Sequence, residues 1–261
     1  MKAMILSAGY GTRLGALTQQ LPKPMLPLQG RPLLEYIICH LVQHGFDQIA
    51  INLHFMPHLI RDYFGDGSAW GVELVYSDEP ELLGTAGGVK KMAALLHPKE
   101  RFLIHYGDIL TDQDFTALLH FHQQRQALTT LLVHQRARSN SIVSLDERGG
   151  VIGFLERPTE EARRGVQSSW VNSGIYICDP QLLAEIPADV TCDLPRDIFP
   201  KLIEGGRLYG YPLSSYRCAI DSPDRLAEAQ AALANGQCQI QPLDQTSQGE
   251  PQETDGQFGG N

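Results

Sequence analysis

Little in the 261 residues would tie this chain to a metal cluster, a membrane or a nucleic acid. Cysteine is scarce: Cys39, Cys178, Cys192, Cys218 and Cys238 are scattered and form no Cys-x-x-Cys pair. An odd, dispersed set argues against a disulfide framework or a structural zinc site and suits a reducing compartment, so a cytoplasmic location is expected. No apolar run approaches the ~18 residues of a membrane span. The opening "MKAMILSAGYG" has too short an apolar stretch for a secretory signal. Basic residues are outnumbered, 21 Lys and Arg against 30 Asp and Glu, which gives a net charge of −9. A general nucleic-acid binder usually shows a basic stripe instead. A small anionic ligand is still allowed, because a cleft can be locally positive inside an acidic protein. Internal repeats are missing as well.

What the sequence does hold is an alternation of apolar runs and helical periodicity. "KAMILS" is a continuous apolar run of the kind buried in parallel sheets. "PLLEYIICHLVQHG", residues 32–45, has helical spacing and stops at Gly45, a helix with its C-cap. "QIAINL", "VELVYS", "RFLIHYGD" and "LTTLLVH" read as further strands. A short helix near 57–64, "AGGVKKMAALL" and "DQDFTALLHFHQQRQ" supply the helices between them. Strand then helix, repeated, predicts an α/β fold with a doubly wound, mostly parallel, Rossmann-like sheet and right-handed crossovers. Ligands bind such sheets at the carboxyl ends of the strands, which puts Ser7 to Arg13, Ser77 to Thr85 and Gly107–Asp108 on one rim. After residue 140 a smaller mixed subregion is expected, with a hairpin turning at "DERGG" and a strand over "WVNSGIYICD". The domain is read as residues 1–235. Residues 236–261, rich in Gln, Gly and acids, read as a disordered tail whose removal from 237 onward would change neither melting temperature nor activity.

The densest signal is "ILSAGYGTRLGALTQQLPKPMLP", residues 5–27. Glycines after a strand let backbone N–H groups approach a ligand closely, and such groups cradle phosphate oxygens. Arg13 and Lys23 would add the charge a polyphosphate needs. A dinucleotide fingerprint fails because Leu14 stands at the third glycine position, and a P-loop fails because no Gly-Lys-Ser/Thr follows. An oxidoreductase is further disfavoured by "INLHFM", which lacks an acid after the second strand. A tight turn alone would explain Gly9 and Gly11 but not Thr12-Arg13 or Pro22-Lys23-Pro24.

The whole string "SAGYGTRLGALTQQLPKPMLPLQGRPLLEYII" resembles the signature of sugar-1-phosphate nucleotidylyltransferases, whose G-x-G-T-R and P-K-P motifs frame a nucleoside triphosphate. "EPELLGTAGGV", "YGD", "FLERP" and "VNSGIYI" resemble four more motifs of that family, in the same order, so that most of residues 1–235 is covered. The resemblance implies the nucleotide-diphospho-sugar transferase type of fold. It also implies in-line attack of a sugar 1-phosphate on the α-phosphorus of a nucleoside triphosphate, with pyrophosphate leaving and Mg²⁺ assisting. Neither a nucleic acid nor a membrane is implied as partner, and a homo-oligomer stays open.

Carried over residue by residue, the resemblance puts Ser7, Ala8, Gly9, Gly11, Thr12, Arg13 and Gly107 around the nucleotide, with Glu79, Gly84 and Thr85 reading the base. Arg13 and Lys23 serve the phosphates, and Asp108 holds the metal. Glu156, Arg157, Asn172 and Gly174 bind the sugar phosphate, Gly174 by leaving room for the ring. Arg157 replaces the usual lysine; it keeps the charge and can grip a phosphate in bidentate fashion. At the second metal position the family register falls on Ala219. A related cytidylyltransferase pattern instead matches Asp221, which is read either as a metal ligand or as the cap of the following helix. For the helix after Asp108, Asp112 or Thr111 is the expected cap, which frees Asp108 for the metal. "LGTAG" looks most like guanylyltransferases acting on mannose or heptose 1-phosphate. Thymidylyl, uridylyl or cytidylyl transfer to glucose 1-phosphate or a related sugar, and a regulatory module without catalysis, remain alternatives. His40 and His44, at i and i+4 on a helix, have no third ligand in view and read as polar-face histidines. His120 and His122, two apart, do not face each other.

Overall fold

The computed structural model describes residues 1–96 and 100–242, apart from the Arg13 side chain. Strand β1 (Lys2–Leu6) is apolar toward both faces, with Ala3 and Ile5 packing into one layer of core and Met4 into the other. Helix α1 (Leu33–Gln43) presents Leu33, Leu34, Ile37, Ile38 and Leu41 inward. It stops where Gly45 N donates to Val42 O at 2.9 Å and Phe46 N to Leu41 O at 3.1 Å, the paired bonds of a glycine-terminated helix. Strand β2 (Gln48–Leu53), helix α2 (Pro57–Phe64), strand β3 (Glu73–Asp78), helix α3 (Gly84–Lys91) and strand β4 (Phe102–Tyr106) follow. The four strands form the expected parallel row, in the order β4-β1-β2-β3.

Beyond β4 come strand β5 (Ile109–Thr111), helix α4 (Phe115–Arg125) and strand β6 (Thr129–Gln135). The α4 cap is Asp114, whose carboxylate accepts Ala117 N at 3.0 Å, and not Asp112 or Thr111 as expected. Strand β7 (Ser141–Leu145) and strand β8 (Val151–Glu156) make the predicted hairpin. At its turn Asp146 Oδ1 accepts Arg148 N and Gly150 N, each at 2.8 Å. Strand β9 (Trp170–Cys178) then enters antiparallel beside β4. Strand β6 pairs with the far side of β9 and, in parallel, with strand β10 (Leu208–Pro212), so it does not extend the parallel row. An apolar alternation marks a strand but carries no direction, which is why the intruding β9 could not be placed from the sequence. Among the described residues the main sheet has nine strands. Strand β11 (Arg217–Ala219) pairs antiparallel with β5, and helix α5 (Pro223–Ala234) follows it.

The expected tail begins too early. Residues 236–242 lie against the core, with Cys238 and Ile240 buried. Cys238 N donates to Ala232 O at 3.0 Å, Gln239 N to Asp112 Oδ2 at 2.9 Å and Gln43 Nε2 to Gln241 O at 2.9 Å. Two apolar side chains at alternate positions are enough to dock this segment, although its composition is that of a polar tail. Residues 243–261 lie outside the described residues. A chain ending at Gly236 is expected to lose about 3 kcal/mol of burial and to melt about 6–12 °C lower. A chain ending at Pro242 is expected to melt with the full-length protein. Calorimetry of the two truncations decides, and equal melting temperatures would return 236–242 to the tail.

Candidate active site

The carboxyl ends of the parallel strands enclose a cleft of about 340 Å³. Ser7, Ala8, Gly9, Gly11 and Thr12 reach it from the end of β1, Glu79, Gly84 and Thr85 from beyond β3, and Gly107 and Asp108 from beyond β4, with Lys23 among them. The cleft thus brings together residues from four separate stretches of sequence. Arg13 falls within the short 3₁₀ segment Thr12–Thr18, and its side chain lies outside the described residues. Gly11 heads that segment in a left-handed conformation, φ 66°, which favours glycine. Polar lining residues that the sequence left unassigned are Asn52, Tyr106 and Asp193.

Glu79 is buried, and both its carboxylate oxygens are taken. Oε1 accepts Asn52 Nδ2 at 2.7 Å, and Oε2 accepts Leu83 N at 3.1 Å. Asn52 Oδ1 in turn accepts Ser7 N at 2.7 Å. This relay joins the ends of β1, β2 and β3 to the start of α3. The Ser7 hydroxyl is buried at the cleft with no protein partner. On the other side Thr85 N donates to Asp193 Oδ1 at 3.0 Å, and Leu194 N donates to Thr85 Oγ1 at 2.8 Å. Ala86 N and Gly87 N donate to Cys192 O at 2.8 and 3.1 Å. The N–H groups of Thr85, Ala86 and Gly87 in the first turn of α3, which could have met an anion, are therefore taken by Cys192 and Asp193.

Lys23, between Pro22 and Pro24, opens a 3₁₀ turn (Lys23–Met25), where Met25 N donates to Pro22 O at 2.8 Å. Its Nζ donates to Asp108 Oδ2 at 2.5 Å, a half-buried ion pair. Asp108 O accepts Ile220 N at 2.8 Å, which holds the end of β11, and so Asp221, alongside. Ala219, at the family register for the second aspartate, pairs with Ile109. The capping alternative for Asp221 is removed: the α5 cap is Ser222, whose Oγ accepts Arg225 N at 3.3 Å. Asp108 lines the cleft, whereas Asp221 is not among its lining residues and is brought near only through the backbone at the end of β11. Among the described residues no group of three His, Cys, Asp or Glu side chains forms a complete protein cage.

The four residues expected at the sugar phosphate do not line the cleft. Glu156 is half-buried, and burial pushes its carboxyl above the usual range, against the pull of Arg157; Asp193 on the cleft wall adds to the rise. Arg157 is exposed, with Nε 3.8 Å from Glu156 Oε1. The Asn172 amide is committed within β9, donating to Tyr176 OH at 2.8 Å and accepting Gly174 N at 3.0 Å. The role expected of Gly174 needs correction. A Cβ there would stand 2.6 Å from Ile109 Cδ1 and 3.2 Å from the Tyr106 ring, and φ is 76°. Its missing side chain makes room for the protein's own residues at the β9 bulge, not for a sugar ring.

The histidines also differ from expectation. His40 is buried with Nε2 2.9 Å from Gln113 O, and His44 Nδ1 lies 3.0 Å from Thr116 Oγ1. Their rings meet edge to face at 4.8 Å and pack on Phe115. They belong to the core contact between α1 and α4 rather than to a polar face.

A cleft at the carboxyl ends of the parallel strands is where open α/β folds bind their ligands, which puts this chain in the doubly wound ligand-binding class. The profile described as nucleotidyl transferase matches residues 2–235, and the chain belongs to that family. It is 37% identical over 221 residues to the UTP–glucose-1-phosphate uridylyltransferase of Synechocystis sp., covering 79% of this chain and 56% of the relative. To the mannose-1-phosphate guanylyltransferase of Mycobacterium tuberculosis it is 32% identical over 238 residues, covering 90% and 65%. To the N-acetylmuramate alpha-1-phosphate uridylyltransferase of Neisseria meningitidis serogroup B it is 49% identical over 118 residues, covering 45% and 51%. The chain thus spans between 51% and 65% of the length of these curated relatives. A crystal structure titled as a putative glucose-1-phosphate thymidylyltransferase from Bacillus anthracis superposes with a TM-score of 0.80 at 20% identity, covering 95% of this chain and 99% of that one. At that identity the likeness concerns the fold.

Burial holds the His40 and His122 imidazoles down to about 4 and that of His105 to about 3. Unfolded, each takes up a proton near its ordinary value of about 6.5. Between those values the unfolded chain binds more protons than the folded one, so stability falls as pH is lowered through the window and levels off below it. The loss is about 1.4 kcal/mol per pH unit for each fully buried histidine. Urea midpoints are expected to drop steadily from about pH 6.5 to about pH 4, and a flat profile over that range would show that these imidazoles are protonated in the fold.

Proposed function

We propose that the chain transfers a nucleotidyl group from a nucleoside triphosphate to a sugar 1-phosphate, releasing pyrophosphate, with residues 1–235 as its catalytic domain. The observation that carries this reading is the Lys23–Asp108 pair at a cleft lined by the Gly9–Thr12 loop. In such a transfer an oxygen of the sugar phosphate attacks the α-phosphorus in line as the bond to pyrophosphate breaks, so that catalysis is largely positioning and electrostatics. The Gly9–Thr12 backbone offers N–H groups to the triphosphate, and the free Ser7 hydroxyl offers one further hydrogen bond. Lys23 can pass from Asp108 to a phosphate oxygen, where its charge offsets the approach of two anions. Asp108 and Asp221 would hold Mg²⁺, which when bound neutralises and orients phosphate oxygens. Glu156 and Arg157 stand beyond the Tyr106 and Asp193 wall as the sugar-phosphate side of the site.

"LGTAG" points toward guanylyl transfer to mannose or heptose 1-phosphate, while the relatives carry both uridylyl and guanylyl names. The test is pyrophosphate release by the purified chain with UTP, GTP, CTP, ATP and dTTP against glucose, mannose, heptose and N-acetylhexosamine 1-phosphates. UTP or GTP is expected to be used with at least one sugar. Silence with every pair would assign the chain to nucleotide binding without catalysis, in keeping with Ala219.

Lys23→Ala is expected to lower turnover at least ~100-fold, the scale of one charge-stabilising donor, with an unchanged melting temperature because the pair is only half-buried. Near-normal turnover would make Lys23 a surface charge. Asp108→Asn and Asp221→Asn should each raise the Mg²⁺ concentration for half-maximal rate. Since Ser222 caps the helix, a Mg²⁺ titration of Asp221→Asn that overlays wild type would remove Asp221 from the metal site.

A further inference from the structure

Tyr10 stands between the two glycines of the phosphate-facing loop, yet it does not line the cleft. Its ring turns outward, half-exposed, and meets the His54 ring edge-on at 4.8 Å and 89°. Phe55 lies 6.2 Å away. The Tyr10 hydroxyl is 2.6 Å from His54 Nε2, and His54 Nδ1 is 2.6 Å from Glu79 O. A carbonyl only accepts, so Nδ1 carries a proton. In the neutral imidazole Nε2 is then an acceptor, and the tyrosine donates to it.

The loop is therefore tied at two points to one residue. Ser7 N, at its start, reaches the Glu79 carboxylate through Asn52, while Tyr10, at its middle, reaches the Glu79 backbone through His54. Between these ties lie Ala8 and Gly9, and the glycine leaves the backbone there able to change shape, while Gly11 beyond them is held through its carbonyl by Leu14 N and Thr18 Oγ1. We infer that Tyr10 and His54 form a buttress behind the loop that pre-sets its backbone to receive a chain of phosphates. Both are positioning residues, resting on the reading of the cleft as a triphosphate site; neither touches the reacting atoms. Pre-organisation improves affinity by removing an ordering cost at binding, so its loss should scale with the number of phosphates bound.

The test uses inorganic phosphate, pyrophosphate and tripolyphosphate as base-free probes, titrated calorimetrically into the full-length protein. Tyr10→Phe removes the hydroxyl and keeps the ring. His54→Asn keeps a donor for Glu79 O but is too short to place an acceptor where Nε2 meets the Tyr10 hydroxyl. Each is expected to weaken tripolyphosphate binding about three- to tenfold, the worth of one hydrogen bond, with a smaller loss for pyrophosphate and none for phosphate. The double variant should be no weaker than either single variant, because both break the same bond. Melting temperatures separate this from misfolding. Should a single variant fail to fold, the other carries the comparison. Wild-type affinity in Tyr10→Phe, equal losses for all three probes, or losses that add in the double variant would overturn the buttress while leaving the triphosphate site standing. A wild-type protein with no greater affinity for tripolyphosphate than for phosphate would instead overturn the phosphate loop itself, and the buttress with it.

Discussion

The cleft depends on one buried carboxylate. Glu79 is buried, and a carboxylate in that position is tolerated only with its oxygens occupied. The amide of Asn52 and the backbone of Leu83 occupy them, and through Asn52 the same group fixes the first residue of the glycine loop. Three strand ends and a helix start are thereby held in one register. This side of the cleft takes its shape from that node. A relay built from charge-assisted bonds among buried groups is also stiff, which suits the phosphate-placing task proposed for this cleft.

The second constraint is the insertion of β9 next to β4. It runs against the parallel row, and on its other side, against β6, its register shifts at a bulge between Asn172 and Tyr176. That bulge uses up the Asn172 amide and fills the space in front of Gly174 with Ile109 and Tyr106. The same strand carries the tyrosine that meets Tyr106 edge-on at 5.8 Å, so the cleft wall is braced from behind. A sequence motif here serves sheet geometry first.

Much of this was legible in the residue string, and the limits have physical causes. Strand and helix periodicities gave the parallel row, and the loop and Pro-Lys-Pro gave the cleft, because both signals are local. Asp193 contacts Thr85 across more than a hundred residues, and Asn52 meets Glu79 across two strands, so neither partnership leaves a local trace. Direction is likewise absent from an alternating apolar pattern, which hid the orientation of β9. Lys23 and Asp108 were each picked out, but their pairing is a property of the fold. Composition misled for residues 236–242, where two buried side chains outweigh polar neighbours.

The Lys23–Asp108 pair bears on how the anionic substrates proposed for this cleft would arrive. The protein is acidic overall, and the lysine at the cleft has a carboxylate 2.5 Å away. The pair presents nearly no net charge to an approaching molecule, so it projects little attractive field beyond about 8–10 Å in physiological salt. This pair by itself therefore contributes little long-range steering. Attraction develops only at close range, when a phosphate competes with Asp108 for the ammonium group. Discrimination between anions therefore falls at the point of contact, where geometry counts for more than charge.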